Sequence, residues 1–224
     1  ALKNLSDLRA SNKSKGLLIS ATGTGKTYLS AFDAKQFGAK RLLFVVHRKT
    51  IAEKSMQSFR MIFGKNVKMG LFSGDQKELN ADFIFCTVQT LSKEENLKKF
   101  DKAHFDYIVI DETHRAAANS YIAITSYFEP QFMLGMTATP ERTDGGDIFK
   151  LFDYNIAYEI RLQQALEEEI LCPFHYFGVT EIVVNGVLLE EKADFNLLSS
   201  DHRIDHIIST IKKYGSDNGI VRGL

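Results

Sequence analysis

The chain has 224 residues, 28 basic against 28 acidic side chains, 44% hydrophobic residues and 25% charged ones, a balance that suits one α/β domain with an appendage and excludes a disordered chain. A net charge of zero, by itself, argues against strong nucleic-acid binding. No apolar run approaches the ~18 residues of a membrane-spanning helix, the sequence reads as that of a chain without a secretory leader, and two cysteines are too few for a disulfide framework or a metal site. Cys86 and Cys172 both sit in apolar surroundings and read as buried reduced thiols, which fits a cytoplasmic protein.

The first element is an apolar strand over residues 16–20, followed by Ala21-Thr22-Gly23-Thr24-Gly25-Lys26-Thr27 and a helical pattern over 26–37. Strand, glycine-rich turn and helix in that order are what a phosphate-binding loop needs. Gly23 and Gly25 let the backbone curl around one anion, and the helix adds its positive N-terminal dipole. Lys26 is placed to neutralise β- and γ-phosphates, and the Thr27 hydroxyl to hold Mg²⁺. The strict template wants glycine where Ser20 stands, so the match is to a looser form.

Further strands are predicted over 41–46, 67–71, 82–86, 106–110 and 132–136, with helices over 49–62, 87–99 and 119–128. This alternation implies a mostly parallel sheet flanked by helices. The strand Tyr107-Ile108-Val109-Ile110 is uncharged and ends in Asp111-Glu112, where open α/β sheets bind ligands. Alone, such a pair is as readily a solvated strand end; with the glycine-rich loop upstream, Asp111 becomes a candidate for holding Mg²⁺ and Glu112 for activating water. Residues 33–70 carry nine basic and two acidic side chains, a candidate phosphate-backbone contact or else a solvated helix face, while 141–194 carry four basic and twelve acidic ones. Later, residues 161–169 read as a short helix, 174–179 as a strand, 180–200 as a connector with a turn at Asn185-Gly186, and 201–214 as an amphipathic helix with Ile204, Ile207, Ile208 and Ile211 on one face.

At Asp111-Glu112-Thr113-His114 the chain resembles the Asp-Glu-x-His box of superfamily-two helicases and translocases. Other blocks resemble that family in its order: Gly23 to Thr27, Val45-Val46-His47-Arg48-Lys49-Thr50-Ile51, Cys86-Thr87-Val88-Gln89-Thr90-Leu91, and Gly135-Met136-Thr137-Ala138-Thr139-Pro140. The run from Pro140 to Gly145 and the stretch Ile156 to Ile160 are most similar to the restriction-enzyme Res-subunit branch. The resemblance covers residues 15–180 or so and implies a RecA-like P-loop NTPase domain that hydrolyses ATP with Mg²⁺. It implies a domain over 1–178 and, over 179–224, a connector and the start of a truncated second RecA-like domain. It assigns catalysis to Lys26, Asp111, Glu112 and His114, nucleotide contact to Thr22 through Thr27, and coupling to Thr137 and Thr139. Nucleic-acid contact falls to His47, Arg48, Thr87 and Gln89, with DNA favoured over RNA. Each has a plainer alternative: turn capping for Thr137 and Thr139, a surface ion pair for Arg48, helix capping for Thr87.

No arginine-finger segment and no adenine-reading glutamine upstream of Gln36 are found, so the reading expects a chain cut at both ends and partnered by a second RecA-like domain. An arginine finger is worth about three to five powers of ten in rate, so this chain alone should turn over slowly. A nucleotide-gated binding module with little turnover is the alternative. A P-loop kinase or small GTPase fits poorly, for want of a guanine-reading Asn-Lys-x-Asp stretch.

Overall fold

The structure, a computed structural model, describes residues 1–113, 119–140, 148–173, 183–184, 187–188 and 201–214. Two compact units are present, Ala1–Cys172 and Pro173–Leu224. The predicted domain boundary at 178/179 lies outside the described residues, as does the predicted strand over 174–179.

The first unit is built on eight strands: β1 (Lys15–Ser20), β2 (Leu42–Val46), β3 (Met69–Ser73), β4 (Gln76–Lys77), β5 (Phe83–Thr87), β6 (Tyr107–Ile110), β7 (Phe132–Thr137) and β8 (Ile156–Ile160). They pair in the order β4-β3-β5-β2-β6-β7-β1-β8, all parallel except β4, which runs antiparallel to β3. Every residue of β2, β3, β5, β6 and β7 is buried, as expected of parallel strands covered on both faces.

Alternation along the strands divides the core in two. Leu42, Phe44 and Val46 face the layer that holds α1 (Leu2–Ala10), α2 (Lys26–Phe37) and α3 (Lys49–Phe63), through Leu5, Ala31, Ala34, Ala52 and Phe59. Leu43 and Val45 face the opposite layer, which holds α4 (Val88–Leu91), α5 (Glu94–Leu97), α6 (Asn119–Tyr127) and α7 (Ile148–Leu151). A short α8 (Leu162–Glu167) follows β8. In the second unit, β9 (Val183–Val184) pairs with β10 (Val187–Leu188), and α9 spans Asp201–Tyr214 with Ile204, Ile207, Ile208 and Ile211 exposed. Among the described residues no helix is long and apolar enough to cross a membrane.

Several elements depart from the sequence reading. The predicted helix over 87–99 is broken into α4 and α5, because Lys93 adopts extended backbone and the Asn96 amide donates to Thr90 O at 2.7 Å. The strand predicted at 67–71 forms two residues later, at Met69–Ser73, where it can pair with β4 through Phe72 and Ser73. Helix α1 was unforeseen. It is held by a buried ion pair, Arg9 to Asp33 of α2 at 2.7 and 2.8 Å, and the Tyr107 hydroxyl of β6 donates to the same carboxylate at 2.5 Å. Cys86 is buried as expected, and burial pushes its thiol well up, but Cys172 is exposed: it lies past α8, where the chain has left the sheet.

Candidate functional site

The turn between β1 and α2 is shaped by two glycines in the left-handed region, Gly23 at φ 89° and Gly25 at φ 83°. A side chain at either would be strained. Gly25 is the N-cap of α2 and supplies no side-chain cap, so the first-turn N–H groups of the helix remain available to an anion. Thr24 pins the turn from within. Its hydroxyl bonds Ala21 O at 2.7 Å and lies 2.5 Å from Ser20 Oγ. Lys26 reaches back across the loop and donates from Nζ to Ser20 O at 2.8 Å and Ala21 O at 3.0 Å. Burial lowers its pKa, opposed by the negative charges of Asp111 and Glu112. Thr22 is exposed and Thr27 half-buried, at the loop's outer rim and the helix's first turn respectively.

The carboxylates enter from β6. Strand β7 lies between β6 and β1, so Asp111 and Ser20 stand two strand spacings apart, roughly 10 Å. Asp111 is buried, and its Oδ1 accepts the Glu112 N–H at 3.0 Å. Burial first, and the Glu112 charge second, push the Asp111 carboxyl up to about 6, against the opposing pull of that backbone bond and of Lys26. Glu112 itself has φ 55°, a left-handed conformation that costs a non-glycine residue free energy and concentrates at functional sites. Thr113, fully buried, donates from Oγ1 to Met136 O at 3.1 Å and so ties the carboxylate turn to the end of β7. Two buried or half-buried carboxylates repelling one another beside a hydroxyl-bearing helix start form a donor set that suits a divalent cation of the Mg²⁺ kind, which takes few protein ligands and completes its shell with phosphate and water.

The remaining predicted residues divide. Thr137 is buried at the carboxyl end of β7; its hydroxyl accepts from Thr139 N and donates to Thr139 O, both at 3.2 Å, and Thr139 is exposed. His47 and Arg48 follow β2 on the same edge, half-buried and exposed, and Arg48 pairs with no carboxylate among the described residues. Gln89 is exposed at the start of α4, but Thr87 is buried, its hydroxyl engaged with Ser73 at 3.1 Å and Thr90 at 2.9 Å rather than capping the helix. His114 lies outside the described residues. The basic stretch over 33–70 does not form one face. Arg48 and Lys49 sit at the carboxyl edge of the sheet, whereas Lys40 and Arg41 precede β2 and Lys65 and Lys68 precede β3, at the opposite edge. Arg41 there pairs with Asp82 at 3.9 Å.

Sequence reasoning passed over Thr113 and the contact between the loop and the segment after β8, where Ala21 N–H donates to Ile160 O at 3.1 Å. Nothing in the sequence marked either contact, since both partners lie far along the chain.

A family profile described as "Type III restriction enzyme, res subunit" matches residues 1–142. Among curated proteins, the putative ATP-dependent helicase IRC3 of Saccharomyces cerevisiae is 28% identical over 194 residues, covering 78% of this chain and 27% of that protein. The type I restriction enzyme EcoAI endonuclease subunit of Escherichia coli is 30% identical over 177 residues, covering 74% of this chain and 21% of that subunit. The chain therefore spans about a quarter of the length of these relatives. Among solved structures, the Hef helicase domain of Pyrococcus furiosus superposes with a TM-score of 0.58 at 20% identity, covering 69% of this chain and 36% of that one. A nuclease-deletion mutant of the type ISP restriction-modification enzyme LlaGI, in complex with a DNA substrate mimic, gives 0.56 at 17% identity, covering 76% of this chain and 20% of that one. At these identities the structures speak to the fold, which is RecA-like.

Proposed function

The chain belongs to the type III restriction enzyme Res-subunit family, as the first RecA-like domain of a superfamily-two helicase, and on that premise we propose that it binds MgATP at the carboxyl edge of its sheet and couples hydrolysis to nucleic acid. The observation that carries this reading is the placement of the twin-glycine loop with Lys26 after β1 and of Asp111 and Glu112 after β6, both at carboxyl ends on either side of β7. In it, residues Thr22 to Thr27 cradle the phosphates with backbone N–H groups while Lys26 spreads their charge. Thr27 and Asp111 would hold Mg²⁺, which when bound supplies charge neutralisation between the phosphates. Glu112, fixed by its left-handed backbone, orients the attacking water and accepts its proton. Thr137, with His114 and Thr139, relays the state of this site to strand contacts. Exposed Arg48 and Gln89, with half-buried His47, are the candidates for the nucleic-acid backbone, and Thr87 holds the start of α4 through Thr90.

A second RecA-like domain, contributing an arginine, completes the ATP site in this reading. DNA is preferred over RNA because restriction enzymes stand among the relatives. The test is steady-state ATP hydrolysis by the intact protein carrying this domain, with and without single- and double-stranded DNA. Stimulation by DNA is expected, and Glu112→Gln should lower turnover about a thousandfold while leaving MgATP binding in place. Binding without turnover under any nucleic acid would instead identify a nucleotide-gated binding module.

A further inference from the structure

Beyond residue 142, where the family match ends, the chain returns to the nucleotide loop. Strand β8 runs parallel to β1 and carries Ile160 to within a hydrogen bond of Ala21 at the loop's start. Helix α8 then makes one and a half turns and is stopped by Glu169, which at φ 55° takes the left-handed conformation that ends helices. That reversal lets the N–H groups of Ile170 and Leu171 both bond Ala165 O, at 2.9 and 3.0 Å, closing a compact hook. The hook has its own small apolar centre. Ala21, Ile160 and Ala165 are buried together, with Tyr158 and Leu171 packed against them. Its tip rests on the loop: a Cβ built at Gly23 would lie 3.2 Å from Leu171 Cδ2. At Gly25, the loop's other left-handed glycine, a Cβ would meet nothing within 4 Å.

We propose that Leu171 is a positioning residue for the phosphate loop, a prop that holds the Thr22–Gly23 turn in its anion-binding curl. The physical logic is preorganisation. A turn with two glycines in left-handed backbone has many alternatives in solution, and an apolar contact on one of them removes alternatives before the ligand arrives. The inference rests on the nucleotide reading of the loop, and it makes the stretch after β8 part of the nucleotide site.

The test uses the 224-residue chain. A fluorescent N-methylanthraniloyl-ADP is bound in the presence of Mg²⁺ and displaced with tripolyphosphate, which has phosphates and no base or sugar. For Leu171→Ala the inhibition constant of tripolyphosphate should rise about fivefold. Leu171→Met, which keeps the apolar volume, should stay within about twofold of wild type. Equal constants for Leu171→Ala and wild type overturn the proposal. So does a loss confined to the nucleotide with tripolyphosphate unchanged, because that marks direct contact with base or sugar rather than loop positioning. Wild-type protein that binds neither probe overturns the nucleotide reading itself, a result distinct from either of these.

Discussion

The two edges of the sheet are built on opposite principles. At the amino edge, charge is locked: the fully buried Asp33 accepts both Arg9 nitrogens and the Tyr107 hydroxyl, and Arg9 lies over the rings of Phe37 and Phe132. Asp106 likewise accepts the backbone N–H groups of Lys40 and Arg41 there. At the carboxyl edge, charge is left unsettled. Asp111 repels Glu112, Lys26 is partly desolvated, and Gly23, Gly25 and Glu112 all sit in left-handed backbone. At one edge the buried charges are paired with one another, whereas at the other two carboxylates face one another beside a partly buried lysine. The same strands thus carry a finished scaffold at one end and an unfinished site at the other.

The largest way to break the comparison is at the scaffold. Asp33→Ala leaves Arg9 mostly buried with no carboxylate and strips the Tyr107 hydroxyl of its acceptor. Unfolding in urea should show a loss of about 3–5 kcal/mol, with nucleotide affinity unchanged under conditions where the variant remains folded.

The next effect lies at the site and depends on pH. Asp111 holds its proton up to about 6 in the folded protein against 3.8 for an unperturbed aspartate. The folded state thus binds more protons than the unfolded one between those values, and this group's contribution falls as pH rises from about 4 to 6. In urea unfolding without Mg²⁺ or nucleotide, wild type should lose up to about 3 kcal/mol over that window relative to Asp111→Asn, and Mg²⁺ with nucleotide should recover much of it. A difference that does not change with pH would mean that Asp111 is not destabilised by its surroundings.

What was legible in the sequence follows from how locally each feature is encoded. Helix α2 begins and ends where its pattern says, at Lys26 and Phe37, because glycines in left-handed backbone flank it on both sides. The buried strands announced themselves as uncharged β-branched and aromatic runs, and the strand order puts the loop after β1 and the turn after β6 at carboxyl ends on either side of β7. Features set by distant partners were hidden. Nothing near Asp33 in the sequence marks it as buried, because its partners Arg9 and Tyr107 come from elsewhere in the chain. The basic run over 33–70 looked like one patch because a sequence does not say that residues before and after a strand end on opposite edges of the sheet. The conformation of Glu112 and the seat of Leu171 on Gly23 are tertiary in the same sense.

The contrast between the edges is tested most directly by amide hydrogen exchange on the 224-residue chain, with and without saturating Mg²⁺ and ATP analogue. Added protection should fall on Ala21–Thr27, Asp111–Thr113 and the end of β7 at Thr137, and the amino edge, from α1 to the turn before β3, should not change. Protection centred on α1 or on Lys65–Met69, or no protection anywhere at saturating ligand, would contradict the assignment of the carboxyl edge as the nucleotide site.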